Sequence, residues 1–104
     1  MIINYKRWNG EADCGEHQLF QGKCLVDGRE IRSVWFADTE EGIVKTYSVD
    51  GTDVIYAAIS GWRHDPKYSP MLDHPDIENT GGVLSRTLRG RIELFEQSGV
   101  RIYP

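Results

Sequence analysis

Only two cysteines, Cys14 and Cys24, occur in the chain, too few for the disulfide framework that staples small secreted domains. The opening residues, MIINYKRWNG, show no basic stretch followed by an apolar core. The expectation is therefore synthesis in the cytoplasm, with both thiols free. Long hydrophobic runs are missing too: nothing approaches the ~18 apolar residues of a membrane-spanning helix, which sets a membrane partner aside. No long segment repeats apolar positions at helical spacing, so an all-helical fold is excluded. Excess positive charge is also lacking. With 12 Lys and Arg against 16 Asp and Glu, the net charge is −4, the wrong sign for a general polyanion binder. Proline is scarce, and three of the four prolines lie between residues 61 and 82.

What the chain does contain is strand and turn chemistry, in 104 residues that suit one domain with 11 glycines. Residues 34–49 read as a β-hairpin, because Val, Trp, Phe, Ile, Thr and Tyr dominate both arms. Glu40-Glu41-Gly42 fits a three-residue loop, with Gly42 at the positive-φ position. That register pairs Thr39 with Ile43, Ala37 with Lys45, and Trp35 with Tyr47, the last an aromatic cross-strand contact. Both faces are partly apolar, which places the hairpin in the middle of a sheet.

Upstream, residues 23–31 predict a tighter hairpin, with Asp27-Gly28 as a two-residue type I′ turn. Cys24 then faces Ile31, and Val26 faces Arg29. The second arm is expected to run unbroken from Arg29 into the central hairpin, making a meander. Residues 1–8 suit an opening strand or arm, 18–21 a short strand, and 54–59 (VIYAAI) a further strand or a helical turn. Residues 83–95 read as one closing strand, with Leu84, Arg86, Leu88, Gly90, Ile92 and Leu94 on one face. Gly90 inside it signals a bulge or a close backbone approach. Residues 100–103 add a short terminal strand. Five to seven strands joined by tight turns make a mainly β domain, a small antiparallel barrel or sandwich with one long irregular loop at about 61–82.

That loop, GWRHDPKYSPMLDHPDIENTGG, is the natural place to seek function, since long irregular connections in compact domains are usually functional or disordered. Its Trp62, Tyr68, Met71 and Leu72 are the residue types enriched at protein interfaces. The alternative reading, a metal-binding protein or metal-dependent hydrolase, is carried by His64, Asp65, Asp73, His74 and Asp76, because imidazole and carboxylate suit Zn, Mn or Fe. No HExxH supports it, and Asp and Pro shape turns in ordinary loops. Cys14 and His17 with Cys24 form half of a zinc spacing and lack a fourth close ligand. No GxSxG elbow, Walker loop or Rossmann glycine pattern occurs, and no cofactor is expected. Arg86, Arg89 and Arg91, with Trp35, Tyr47 and Tyr56 as stacking faces, would be the elements of a single-strand nucleic-acid surface. The acidic net charge disfavours it.

VWFADTEEGIVKTYSVDG at residues 34–51 and LRGRIELF at 88–95 resemble stretches of small uncharacterised proteins encoded by tailed phages and prophages. The resemblance is confined to strand and turn residues and brings no catalytic residue with it. It implies an accessory or structural role, in the bacterial cytoplasm or on a virion. Together with the interface-type loop, it leads to the expectation of a non-enzymatic module acting through protein contacts. Its partners would be copies of itself, or other phage or host proteins.

Overall fold

Two antiparallel sheets pack face to face as a sandwich in the computed structural model, which describes residues 1–5, 19–66, 68 and 74–104. In chain order the strands among the described residues are β1 (Ile2–Asn4), β2 (Lys23–Val26), β3 (Arg29–Ile31), β4 (Val34–Asp38), β5 (Ile43–Thr46), β6 (Ile77–Thr80), β7 (Val83–Arg89), β8 (Ile92–Phe95) and β9 (Arg101–Tyr103). One sheet runs β1-β4-β5-β7-β6 and the other β3-β2-β8-β9. A turn of 3-10 helix spans Trp62–His64.

The tight hairpin β2–β3 forms in the expected register, Cys24 opposite Ile31 and Val26 opposite Arg29. Asp27 and Gly28 both take positive φ, 51° and 82°, as a type I′ turn requires. The expected unbroken passage into the central hairpin does not occur. Ile31 and Val34 both pack on the same core, and an odd spacing cannot keep two residues on one face of a regular strand. The chain resolves the conflict by crossing between sheets at Arg32-Ser33, where Ser33 adopts φ 54°.

The central hairpin β4–β5 sits inside its sheet as expected, but one residue out of the expected register. Asp38 pairs with Ile43, Ala37 with Val44 and Phe36 with Lys45, leaving a four-residue loop. The Asp38 carboxylate accepts the N–H groups of Glu40 and Glu41 at 3.1 and 3.2 Å, which starts the turn one residue early. Thr39, expected opposite Ile43, instead donates its N–H to Met1 O at 3.0 Å. A bulge at Trp35 then shifts the register again, so that Val34 pairs with Thr46. The bulge has two results. Val34 and Ala37, three apart, both reach the core between the sheets, and Trp35 and Phe36 share the other face beside Lys45, whose Nζ is 5.7 and 5.3 Å from their ring centres. Trp35 still stacks on Tyr47, at 5.8 Å and 19°.

The single closing strand predicted over 83–95 is two strands in two sheets. The chain turns the corner at Gly90, whose N–H donates to Gly42 O at 3.0 Å. The predicted strand at 54–59 is a surface segment tied to β7 by one bridge, Ala57 to Val83. The loop expected to be irregular contains β6, joined to β7 by Gly81-Gly82 with φ 62° and 96°. Residues 19–21 carry no strand.

Apolar burial divides into two clusters. The first lies between the sheets, with Cys24, Val26, Ile92 and Leu94 facing Val34, Ala37 and Val44. The second collects Val49, Trp62, Tyr68, Ile77 and Leu84, with Tyr56 and Ala58 packed on it. Each fully buried aliphatic side chain contributes about 1.5–3 kcal/mol to stability.

Candidate functional site

The segment after residue 60 was expected to present an interface, and its aromatics turn inward. Trp62 and Tyr68 are core residues of the second cluster, meeting edge to face at 6.0 Å. The Tyr68 hydroxyl donates to Ala57 O at 2.9 Å, fastening the segment at 54–59 over the same cluster. The Arg63 guanidinium lies over the Trp62 ring at 4.6 Å and donates to Ile77 O at 3.2 Å. The surface drawn through Trp62 and Tyr68 is thus spent inside the chain, because β6 offers them Ile77 to pack on. Met71 and Leu72, the other two members, lie outside the described residues.

Of the residues considered for a metal, His64 and Asp76 are exposed while Asp65 and His74 are half-buried, and Asp73 lies outside the described residues. Backbone bonds show what this stretch does locally. Asp65 N–H donates to Trp62 O at 3.2 Å, Tyr68 N–H to Asp65 O at 2.9 Å, and Ile77 N–H to His74 O at 3.2 Å. These close turns that deliver Tyr68 and Ile77 to the core. Among the described residues, no three His, Cys, Asp or Glu side chains gather in a geometry that could hold a metal ion. Cys14 and His17 also lie outside the described residues. Cys24 is buried in the first cluster, and burial pushes its thiol up to about 11, the behaviour of an inert core thiol.

The stacking platform considered for nucleic acid is not open. Trp35 and Tyr47 are buried with their faces on each other, and Trp35 Nε1 donates to Ser85 Oγ at 3.0 Å. The Tyr56 hydroxyl donates to Asp50 at 2.8 Å, and that bond raises the phenol's pKa. The partner carboxyl of Asp50 is lowered, chiefly by the Thr52 hydroxyl donating to it at 2.6 Å.

A different group of residues comes together around a cleft of about 640 Å³. Arg29, Arg32, Arg86 and Arg89 line it, with Asp27 and Glu30 as the acids and Val26, Ile31 and Leu88 as apolar wall. The inner face of β7 leads into it: Leu84 belongs to the second cluster, Arg86 follows, and Leu88 pairs with Val44 beside the first. Arg86 therefore stands where the two clusters part. Arg32 donates to Asp53 at 2.8 Å, an exposed pair. Asp27 is occupied in part by the Arg91 N–H, which donates to it at 2.9 Å. Residues 29–32 and 86–89 are far apart in sequence, and no spacing rule joins them. The legible signal was the local excess of arginine at 86–91, read there on a single strand that the fold splits.

No helix among the described residues is long and apolar enough to cross a membrane. No protein family, curated protein or solved structure matches the chain.

Proposed function

We propose that this domain is a non-enzymatic module that works through protein contacts, and that it self-associates through residues 54–59. The observation that carries this reading is the outward face of that segment. Tyr56 and Ala58 point into the second cluster, while the alternate residues Ile55, Ala57 and Ile59 are exposed. Val54, Ile55 and Ile59 are 52%, 41% and 46% exposed. The segment bonds to β7 through Leu84 N–H to Tyr56 O at 2.8 Å, and to the turn before it through Ala58 N–H to Gly82 O at 2.9 Å. An apolar strip along extended backbone is a feature that proteins usually cover. A second copy of the same strip, related by a two-fold axis, covers it with matching chemistry. The accessory or structural phage role rests on the sequence resemblance at 34–51 and 88–95 alone.

Light scattering on a size-exclusion column tests the proposal. The expected result is a concentration-dependent dimer that Ile55→Lys or Ile59→Lys converts to monomer with little change in melting temperature. A strict monomer at every concentration sinks it.

A further inference from the structure

We infer that the arginine-lined cleft is a binding site for a small ligand carrying a phosphoryl group, with Arg86 at its base. Arg86 is half-buried and sits opposite Thr46 on one side and Ile77 on the other. Of its five N–H donors, the only hydrogen bond among the described residues is from Nη1 to Val49 O at 3.3 Å. Its Nε is buried and meets no acceptor among the described residues. Buried donors are nearly always satisfied, so a guanidinium this sparsely bonded among the described residues, in the wall of a cleft, has donor capacity left for an acceptor.

The surroundings favour a negatively charged one. Arg29, Arg86 and Arg89 make no ion pair among the described residues; Arg32 alone is paired, with Asp53. Four guanidinium groups face two carboxylates in the lining, on a chain whose net charge is −4. Asp27 already accepts from Arg91, and Glu30 is exposed on β3. Arginine forks match the tetrahedral oxygens of phosphate in bidentate pairs, which selects a phosphoryl group over a compact halide-like anion. The cleft of about 640 Å³ falls within the range of small-molecule sites, and Val26, Ile31 and Leu88 supply wall for the body of such a ligand. No aromatic side chain lines it, so it offers no stack for the bases of a single strand.

Sodium pyrophosphate is the probe, titrated at low ionic strength into the ¹⁵N-labelled protein with calorimetry alongside. Expected are saturable shifts confined to residues 26–32, 48–51 and 86–89. Arg86→Gln should weaken binding about tenfold or more, and Arg86→Lys, which keeps charge and loses the fork, should weaken it severalfold. Arg91→Gln, at an exposed position outside the cleft, should leave affinity within about twofold. No saturable shift at millimolar pyrophosphate overturns the inference. Equal weakening by Arg91→Gln and Arg86→Gln overturns it as well, since diffuse charge alone then accounts for binding. Should Arg86→Gln fail to keep the folded spectrum, the double substitution Arg29→Gln and Arg89→Gln at exposed positions takes its place, and unchanged affinity in that variant is again fatal.

Discussion

The carboxylate of Asp27 fills the space that a side chain at residue 90 would need: a Cβ on Gly90 would lie 2.5 Å from Asp27 Oδ2. Asp27 also exchanges bonds with the next residue, accepting the Arg91 N–H at 2.9 Å and donating its own N–H to Arg91 O at 2.9 Å. The turn of one hairpin thereby clamps the corner at which the chain leaves one sheet for the other.

Gly90→Ala should therefore destabilise the domain by about 1–3 kcal/mol, as overpacking does. Asp27→Gly removes the obstructing carboxylate, and glycine suits the φ of 51° there. In that background the cost of Gly90→Ala should nearly vanish. Urea denaturation of the four proteins in the cycle measures the coupling, and additive effects would disprove the clamp.

Tyr68 separates a core role from an interface role. Tyr68→Phe removes the bond to Ala57 O and should cost about 1 kcal/mol. Tyr68→Ala also empties a site in the second cluster and should cost roughly 3–5 kcal/mol, the range for large aromatic truncations. Thermal melts of dilute protein read both. A change in oligomeric state with unaltered stability would contradict the burial seen here.

Cys24 makes stability depend on alkaline pH. Its folded pKa is raised to about 11 from the ordinary 9.0, so the unfolded chain loses this proton first. The contribution is fully present below pH 9 and is lost as pH rises from 9 toward 11. The loss is on the order of 2–3 kcal/mol, and Cys24→Ala should remove that share of the slope. Denaturation midpoints for both proteins across this window check the sign, and alkylation of native Cys24 should be far slower than in urea.

Asp50 behaves oppositely. Its carboxyl is lowered by hydrogen bonds from Thr52 and Tyr56, so its contribution is present above the ordinary carboxylate pKa and is lost as pH falls through the folded value. Thr52→Val should return the pKa of Asp50 further toward ordinary than Tyr56→Phe, because the Thr52 hydroxyl is the larger cause. Carboxylate carbon NMR titrations of the two variants decide the order.

The hairpin at Asp27-Gly28 could be read from the chain in register and turn type, because two residues of positive φ were written into two letters. Gly81-Gly82 carries the same signal between Ile77–Thr80 and Val83–Arg89, and taking 61–82 as one irregular loop passed over β6 inside it. The Trp35–Tyr47 stack was foreseen from a register that does not exist, and a bulge at Trp35 restores the contact. Trp62 and Tyr68 looked available for a partner only while Ile77 and Leu84 had no known place beneath them.

By itself, then, the sequence determined the mainly β architecture, the local turns and the central position of residues 34–49, since these follow from period-two patterning and φ preferences within a few residues. The tertiary structure alone decided where the chain changes sheets, at Arg32-Ser33 and Gly90, because each crossing answers to core packing between distant strands. It alone joined Arg29 and Arg32 to Arg86 and Arg89, since no local rule ties a hairpin at 29–32 to a strand at 83–89. That meeting depends on two clusters parting along β7, a consequence of long-range packing that no window of sequence contains.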